Sequence, residues 1–311
     1  MIEHIPAPSR RLCRRVPPLL RKLTTLSLLV LAAVSTATCG ESPEHQQLLK
    51  AFVDEFIAIT PGEGRFPKSL QQGGELAAEQ PVHEVTLSKP FAIARYEVPQ
   101  NLYEALMGSN PSRWKGPRNS AESMSWDEAQ EFCRKATERL RAATLIAADE
   151  VIRLPTESEW EYCCRAGTTT AYSFGDAAQA EGDAAPQASL LDPFAWHTGN
   201  AAGNDPAVGV LKPNPWGLYD VHGYLWEFCS DKWHPNYDDA PTDGSAWDSA
   251  PPKAKPDDVG PPVRRVMRGG SWKDDFHGLR SSSRRAVGAD ARDDAIGFRC
   301  VRSKAVNPAG S

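Results

Sequence analysis

Alternation of apolar and polar residues predicts short strands in the first third of the chain. Residues 82–87 alternate with a period of two, and an apolar run follows at 91–94. Residues 56–59 have the same strand-like texture. A period of two places alternate side chains on one face of a sheet. The pattern therefore predicts three strands, and the strand at 82–87 should be half-buried.

Helical spacing appears further along the chain. Leu102, Leu106 and Met107 share one face of a helix over 101–107, and Gly108 supplies its end. In the longest helix, Trp126, Ala129, Phe132, Cys133 and Ala136 form the stripe expected to be buried. Two helices should begin with a capping box, in which a hydroxyl and a carboxylate three residues later cap each other: Ser125 with Glu128, and Thr156 with Glu159.

Two regions rich in Ala, Asp, Pro and Gly, 176–192 and 238–262, predict long surface loops. Residues 38–55 are interpreted as a linker, either a short helix or a mobile tether. Helices come early and short strands late, without the strand–helix alternation of a parallel sheet. This order predicts the α+β class.

The first 37 residues predict a leader. Six Lys or Arg residues precede an apolar run at 23–34, and small residues follow at 35–37. This arrangement is typical of a secretory signal peptide, with cleavage after Ala37. Lipidation of Cys39 is the alternative, although Thr36 and Thr38 match the usual lipobox poorly. We therefore expect an exported protein, periplasmic or lipid-anchored at the bacterial envelope, and any membrane contact only through that anchor.

Charge narrows the possible partners. The 311-residue chain has a formal net charge of −5, and the leader carries +5, so the remainder carries about −10. Nucleic-acid binding needs a basic surface, which this composition does not provide. The sequence also lacks a Gly-rich phosphate loop. Six cysteines remain outside the leader, and in an oxidising compartment disulfides are expected more often than metal ligation.

An ordered set of motifs resembles the formylglycine-generating enzyme, or sulfatase-modifying factor, family. The resemblance covers residues 56–303, between the linker and a tail at 304–311. It implies that family's variant of the C-type-lectin-like fold, loop-rich with few regular elements. The motifs are Pro81–Val85 with Tyr96–Val98, Ser125–Ala129, Arg153–Tyr162, Asn214–Gly223, Trp226–Glu227, Arg268–Trp272 and Gly297–Cys300.

The chain departs from this family where the family does its chemistry. The two copper-binding cysteines correspond, by counting from Ser271, to Asp274 and Leu279. Monovalent copper prefers thiolate ligands, which neither residue offers. Copper and formylglycine generation are therefore not expected here. Tyr224 and Phe228 also replace an Asn and a Trp of the family pattern.

The resemblance implies calcium in the turn before Trp226. Its ligands would be the side chains of Asp220 and Glu227 with the carbonyl groups of Gly223 and Leu225. In the alternative interpretation, Asp220 caps a turn and Glu227 pairs with an Arg. A second calcium site would begin at Asn200 and Ala201, but its later aspartate has no counterpart in the loop at 204–209.

The family disulfide corresponds to Cys133 with Cys300. Closing so long a loop would stabilise the fold by about 4–5 kcal/mol. A second family bridge would use Cys164, whose partner position is Arg284. Cys164 therefore pairs with Cys229 or stays a buried thiol, and the pairing of Cys163 is equally open.

The former substrate groove supplies the functional hypotheses. Its candidate residues are Ser271, Trp272, Asp274, Asp275, His277 and Arg280. The alternative is that Asp274 and Asp275 form a solvated turn that orders the groove. The first hypothesis is an exported domain that binds a peptide or envelope partner. The second is an oxidoreductase acting without the cysteine pair, as in siderophore-chromophore oxidation, and the third is a scaffold in a surface complex.

Overall fold

Four α-helices form in the part of the chain that the computed structural model describes, residues 42–202, 205–249 and 263–305. They are α1 Pro43–Asp54, α2 Gln100–Met107, α3 Trp126–Ala142 and α4 Glu157–Arg165. Within those ranges, no helix is long and apolar enough to cross a membrane. The predicted leader, Cys39 and most of the predicted tail lie outside the described residues.

Capping boxes begin α3 and α4, as predicted. The Ser125 hydroxyl accepts a hydrogen bond from Glu128 N at 3.2 Å, and the Glu128 carboxylate accepts one from Ser125 N at 2.9 Å. Thr156 and Glu159 repeat the arrangement at 3.1 and 2.9 Å. These bonds satisfy backbone N–H groups that have no partner within the helix. Helix α2 ends at Gly108, whose φ of 81° is left-handed.

Residues 43–54 of the predicted linker form helix α1, the short-helix alternative, and this helix packs on the domain. Leu49 and Phe52 are only 2% and 4% exposed and belong to the main apolar core. The Phe52 ring lies 6.4 Å from that of Phe132 in α3. Although apolar residues are few here, a spacing of three places Leu49 and Phe52 on one helix face. The packed domain therefore begins at α1 rather than at residue 56.

The described residues contain three sheets. Their strands are β1 Phe56–Ile59, β2 Ser69–Gln72, β3 His83–Thr86, β4 Phe91–Ala94, β5 Glu150–Arg153, β6 Trp226–Lys232, β7 Arg264–Arg268, β8 Arg284–Gly288, β9 Ile296–Gly297 and β10 Val301–Lys304. The sheet orders are β1–β4–β10–β5, β2–β3 and β8–β7–β6–β9. The late strand β10 lies antiparallel between β4 and β5, so it joins the end of the domain to its first third. The predicted strands appear as β1, β3 and β4.

An aromatic cluster joins α3 to α2 and to the segment between β9 and β10. Phe132 and Phe298 are fully buried, with ring centroids 5.2 Å apart, and Tyr103 stacks on Phe132 at 5.7 Å. Burying one such side chain stabilises the fold by about 1.5–3 kcal/mol. The cluster therefore provides a rigid base for the loops above it.

Between α4 and β6, the described chain has no regular helix or strand. Side-chain hydrogen bonds order this long connection instead. The Asn214 amide donates to Cys163 O at 2.7 Å and accepts from Trp216 N and Leu218 N at 3.0 Å. Helices and mainly antiparallel strands joined by long ordered loops confirm the predicted α+β, loop-rich class.

Candidate functional site

A cavity with a volume of about 170 Å³ opens beside the turn that follows β7. We call it the aromatic cavity. Its aromatic walls are Trp114, Tyr224 and Trp272, and its acidic residues are Glu122, Asp205 and Asp294. The lining is completed by Ser120, Ala201, Ala202 and Leu225.

The turn at Gly269 and Gly270 brings Trp272 to the wall of the cavity. Both glycines have a positive φ, 101° and 76°, which other residues rarely adopt. A Cβ on Gly270 would lie only 2.8 Å from Gly278 O. Trp272 N then donates a hydrogen bond to Tyr224 O at 3.0 Å. The Gly-Gly pair thus serves to position an aromatic side chain.

Asp274, at the first copper-cysteine position, holds this turn together. Its Oδ2 accepts from Ser271 Oγ at 2.5 Å, from Ser271 N at 3.1 Å and from Trp226 Nε1 at 2.8 Å. The Arg285 guanidinium lies 3.7 Å from the other oxygen. The Asp274 carboxylate therefore orders the turn by accepting its hydrogen bonds.

Leu279, at the second copper-cysteine position, is a packing residue. Its side chain is fully buried against Gly223 and Gly270, where added Cβ atoms would lie 2.4 and 2.8 Å from it. Its carbonyl accepts a hydrogen bond from His222 Nδ1 at 3.0 Å. Both former metal positions are thus built into the packing of this turn.

The remaining groove candidates lie apart from the cavity lining. Asp275 caps the 3-10 helix Phe276–Leu279 by accepting from His277 N at 3.0 Å, and the His277 side chain is exposed. Arg280 forms a two-pronged pair with Glu79 at 2.7 and 2.9 Å. Of the six predicted groove residues, the structure places Trp272 in the cavity wall and joins Ser271 to Asp274 behind it.

Two cavity carboxylates have neutral hydrogen-bond donors. Glu122 accepts from Trp114 N at 3.1 Å and from the Ser123 hydroxyl. Asp205 accepts from the Tyr224 hydroxyl at 3.2 Å and from the Asn119 amide. Burial raises the pKa of both carboxyl groups above their usual values. Sequence reasoning missed both residues.

The third cavity carboxylate, Asp294, has cationic neighbours. Arg113 Nη1 lies 2.9 Å from its Oδ2, and Lys273 Nζ contacts its Oδ1. Lys273 also pairs with Asp293 at 2.6 Å. Burial would raise the pKa of Asp294, but hydrogen bonds and the charge of Lys273 outweigh it and lower that pKa.

The predicted calcium turn contains two buried carboxylates, one fully hydrogen-bonded and one with an oxygen that has no partner. Glu227 is fully buried and receives Arg299 Nε at 2.6 Å, Arg299 Nη2 at 2.7 Å and Trp160 Nε1 at 2.8 Å. Asp220 accepts from Gly209 N at 2.8 Å through Oδ2. Its buried Oδ1 has no hydrogen-bond partner. Burial raises the pKa of Asp220 to about 6.

A further buried carboxylate, Glu97, lies beside this turn. Leu225 N donates to its Oε1 at 3.2 Å, and the Ser120 hydroxyl donates to its Oε2. Burial, then the charges of Glu227 and Asp220, raise its pKa well above the usual value. An unpaired oxygen on Asp220 within this acidic surrounding fits a hard cation.

The residues of the second predicted calcium site form a turn. Asn200 Oδ1 accepts from His197 N at 2.9 Å, and its amide nitrogen donates to Ala195 O at 2.9 Å. Ala201 lines the aromatic cavity. In the described ranges, no three His, Cys, Asp or Glu side chains are grouped to hold a metal ion. Calcium in the first turn would therefore depend on the carbonyl oxygens of Gly223 and Leu225.

The cysteines described by the structure are buried thiols. The sulfur atoms of Cys133 and Cys300 lie 3.9 Å apart, between α3 and the residue before β10. A disulfide would shorten this distance to about 2.05 Å, so their pairing stays a prediction. Cys164 lies 3.5 Å from Val221 O, and burial raises its pKa to about 12. Burial also raises the pKa values of Cys163 and Cys229 well above the usual range.

Comparison with known proteins identifies the family of this chain. The profile of the "Sulfatase-modifying factor enzyme 1-like domain" matches residues 42–304. The formylglycine-generating enzyme of Mycobacterium tuberculosis is 31% identical over 160 residues, 48% of this chain and 50% of that protein. The "Chaperone protein LppX" of Paenibacillus barcinonensis is 26% identical over 252 residues, 71% of this chain and 82% of that protein.

A solved structure extends the similarity to three dimensions. PvdO from Pseudomonas aeruginosa aligns with a TM-score of 0.64 and 26% identity, covering 80% of this chain and 94% of PvdO. The fold is thus the formylglycine-generating-enzyme type of the C-type-lectin-like fold, as the motifs predicted. The family match begins at residue 42, consistent with the packing of α1. The chain belongs to the sulfatase-modifying factor enzyme 1-like domain family.

Proposed function

We propose that this chain is a binding domain whose aromatic cavity receives one side chain of a partner polypeptide. The observation that carries the proposal is the contrast between the cavity and the former copper positions. Trp114, Tyr224 and Trp272 surround open space, whereas Asp274 and Leu279 are occupied by structural contacts. The chain thus has a cavity that can bind a partner side chain, but it lacks the cysteines that thiol chemistry would need.

The size of the cavity favours a side chain over a larger molecule. Sites for drug-sized ligands have volumes of about 300–1,000 Å³, whereas an engineered cavity of about 150 Å³ holds one benzene. A volume of about 170 Å³ is therefore suited to a single side chain. The alternative, an oxidoreductase acting on a siderophore-type chromophore, would need a larger space than this cavity.

A protein partner at the cell envelope is part of the same proposal. It is supported by the leader-like sequence at 1–37 and by similarity to a protein named as a chaperone. The exposed Trp114, 44% accessible at the rim of the cavity, would contact such a partner directly. We further propose a lipid anchor at Cys39 as the alternative to a free periplasmic form.

Calcium belongs to the proposal as a structural ion. The Asp220 carboxylate, with the Gly223 and Leu225 carbonyl groups, would hold it and so fix Leu225, which lines the cavity. Glu227, the other predicted ligand, is already paired with Arg299 and would have to give up part of that pairing to bind calcium. The unpartnered Asp220 oxygen supports this assignment. The ion would order the wall and take no part in chemistry.

The test combines capture with an activity assay. The exported domain, immobilised, should retain a partner from envelope extract, and Trp114→Ala should lose it. Leu190→Ala is the matched control, because Leu190 is 43% exposed and does not line the cavity. A Trp114→Ala variant that keeps every partner would contradict the proposal.

The activity assay addresses the enzymatic alternatives. A cysteine-containing sulfatase peptide, incubated aerobically with and without copper, should yield no formylglycine above background. Product formation that depends on the protein would overturn the non-catalytic assignment. Oxygen consumption with a reduced siderophore-type chromophore would favour the oxidoreductase instead.

A further inference from the structure

We propose that the group received by the aromatic cavity is a cation, an alkylammonium or guanidinium carried by a basic side chain. This inference rests on the proposed function and adds the chemical class of the ligand. It follows from two features that meet at one place: aromatic faces and carboxylates that no cation neutralises.

The aromatic walls supply the first feature. Trp114, Tyr224 and Trp272 line the cavity, and indole and phenol rings carry negative charge on their faces. A cation within about 6 Å of such a face is attracted by about 0.5–2 kcal/mol, more when water is excluded. Arg113 and Lys273 already lie 4.7 and 5.2 Å from the Trp114 and Trp272 rings, which shows that both rings accept cations.

The carboxylates supply the second feature. Every hydrogen bond described for Glu122 and Asp205 comes from a backbone N–H, a hydroxyl or an amide. No Lys, Arg or His forms an ion pair with either of them among the residues that the structure describes. Glu122 is buried, and a buried carboxylate is usually paired with a cation.

The local charge balance agrees. Glu122, Asp205 and Asp294 line the cavity, and Asp293 adjoins it through Lys273. Among the described residues, Lys273 and Arg113 alone form ion pairs with these four carboxylates, which leaves two negative charges without a paired cation. Burial raises the pKa values of Glu122 and Asp205, and an entering cation would lower them.

Calorimetric titration with small probes tests the inference. The probes are N-acetyl-lysinamide, N-acetyl-argininamide, the neutral N-acetyl-norleucinamide, and n-butylammonium as a cation without a peptide unit. We expect both basic amides to bind at least about tenfold more tightly than the norleucine compound, equivalent to about 1.4 kcal/mol. Binding by n-butylammonium at equal affinity would identify a free small cation as the ligand source.

Two variants localise the effect. Glu122→Gln and Asp205→Asn should each weaken the basic amides by about three- to tenfold and leave the norleucine compound unchanged. Glu104→Gln, an exposed carboxylate in α2 away from the cavity lining, is the control and should change nothing. Asp205 lies at the surface, so its substitution tests the idea even if Glu122→Gln perturbs folding.

The outcomes separate this inference from the proposed function. If the lysine and norleucine compounds bind with equal affinity and Trp114→Ala abolishes the binding of both, the inference of a cationic ligand is wrong. The cavity would still be a binding site in that case. Absence of binding by all four probes would overturn the cation as well. Loss of partner capture in Trp114→Ala, measured separately, would still support the proposed function in either case.

Discussion

Buried carboxylates have opposite environments in two regions of this molecule. In the core, Glu157 receives Arg284 Nε at 2.7 Å and Arg268 Nη1 at 3.2 Å. Glu161 receives Arg268 Nη2 at 2.5 Å and Arg165 Nε at 2.8 Å. We call these five residues the Arg268 network. At the aromatic cavity, the buried Glu122 has only neutral donors.

The two environments shift carboxyl pKa values in opposite directions. Burial alone would raise the pKa of Glu157, but the charges of Arg284 and Arg268 outweigh it and lower that pKa. Burial raises the pKa of Glu122, and no cation reverses the shift. Glu157 is therefore neutralised by arginines of the same domain, whereas Glu122 has no such cation. On the proposed function, the first arrangement maintains the fold and the second is available to a ligand.

Removing Arg268 should give the largest effect on the complete region. Arg268→Met leaves Glu161 with one guanidinium and Glu157 with one, in a fully buried setting. Breaking a buried ion pair by deleting one partner typically costs about 3–5 kcal/mol. Chemical denaturation at pH 7 should show a loss of this size in the free energy of unfolding.

Arg134→Met is the matched control for that experiment. Arg134 pairs with Glu131 and Glu138 on the exposed face of α3. Exposed pairs contribute little, so its unfolding curve should superimpose on that of the unaltered protein. Similar losses in both variants would contradict the special weight given to the Arg268 network.

Calcium should have the next largest effect, through a third kind of buried carboxylate. Asp220 has one oxygen without a partner, so calcium at 100 times its dissociation constant would stabilise the fold by about 2.7 kcal/mol. Differential scanning calorimetry with calcium or with chelator should show this increment. Asp220→Asn should abolish it, and Asp290→Asn, an exposed control, should not. If calcium still stabilised Asp220→Asn by the same amount, this turn would be excluded as the calcium site.

Acid should weaken the Arg268 network through Glu157. Because its folded-state pKa is lowered, Glu157 contributes stability that is fully present above its unfolded value of 4.5 and lost as pH falls through the folded value. Protonation affects one carboxylate of two, so the loss should be smaller than in Arg268→Met. Unfolding free energies from pH 6 to pH 2.5 should fall less steeply in Glu157→Gln. An unchanged slope would assign the acid sensitivity elsewhere.

Neutralising Glu122 should have the smallest effect on stability. Glu122→Gln leaves no cation unpaired, and the amide oxygen can still accept from Trp114 N. We expect a change below about 1 kcal/mol, the worth of a typical hydrogen bond. The free energies of unfolding of Glu122→Gln and Glu157→Gln should be measured in parallel. Glu157→Gln leaves Arg284 and Arg268 facing a neutral group, so it should lose more stability. Equal losses would erase the distinction between the two regions.

Local patterns in the sequence were sufficient for most of the regular elements. Ser125 with Glu128 and Thr156 with Glu159 determine helix starts within four residues, so they can be recognised without tertiary information. For helix α1, the sequence left a short helix and a mobile tether both open, because Leu49 and Phe52 form too short a stripe to predict packing. Its packing depends on Phe132, which is distant in the sequence.

The site could be predicted only in part, for the same reason. The motif around Trp272 identified one wall of the cavity. Glu122 and Asp205 were missed because their significance lies in the absence of a cationic partner, and pairing is decided between distant segments. Arg280, in contrast, looked like a groove residue until the structure placed Glu79 beside it, 201 positions away in the sequence.

The three hydrogen bonds on one oxygen of Asp274 have a consequence for protein engineering. The resemblance places the family's two copper-binding cysteines at Asp274 and Leu279, and substituting cysteine at both positions would not by itself create a copper site. A thiol is a weak acceptor, so Asp274→Cys would release Ser271 and Trp226, and Leu279→Cys would leave Gly223 and Gly270 poorly packed. A copper site here would therefore require a redesigned loop, and single substitutions would not create one.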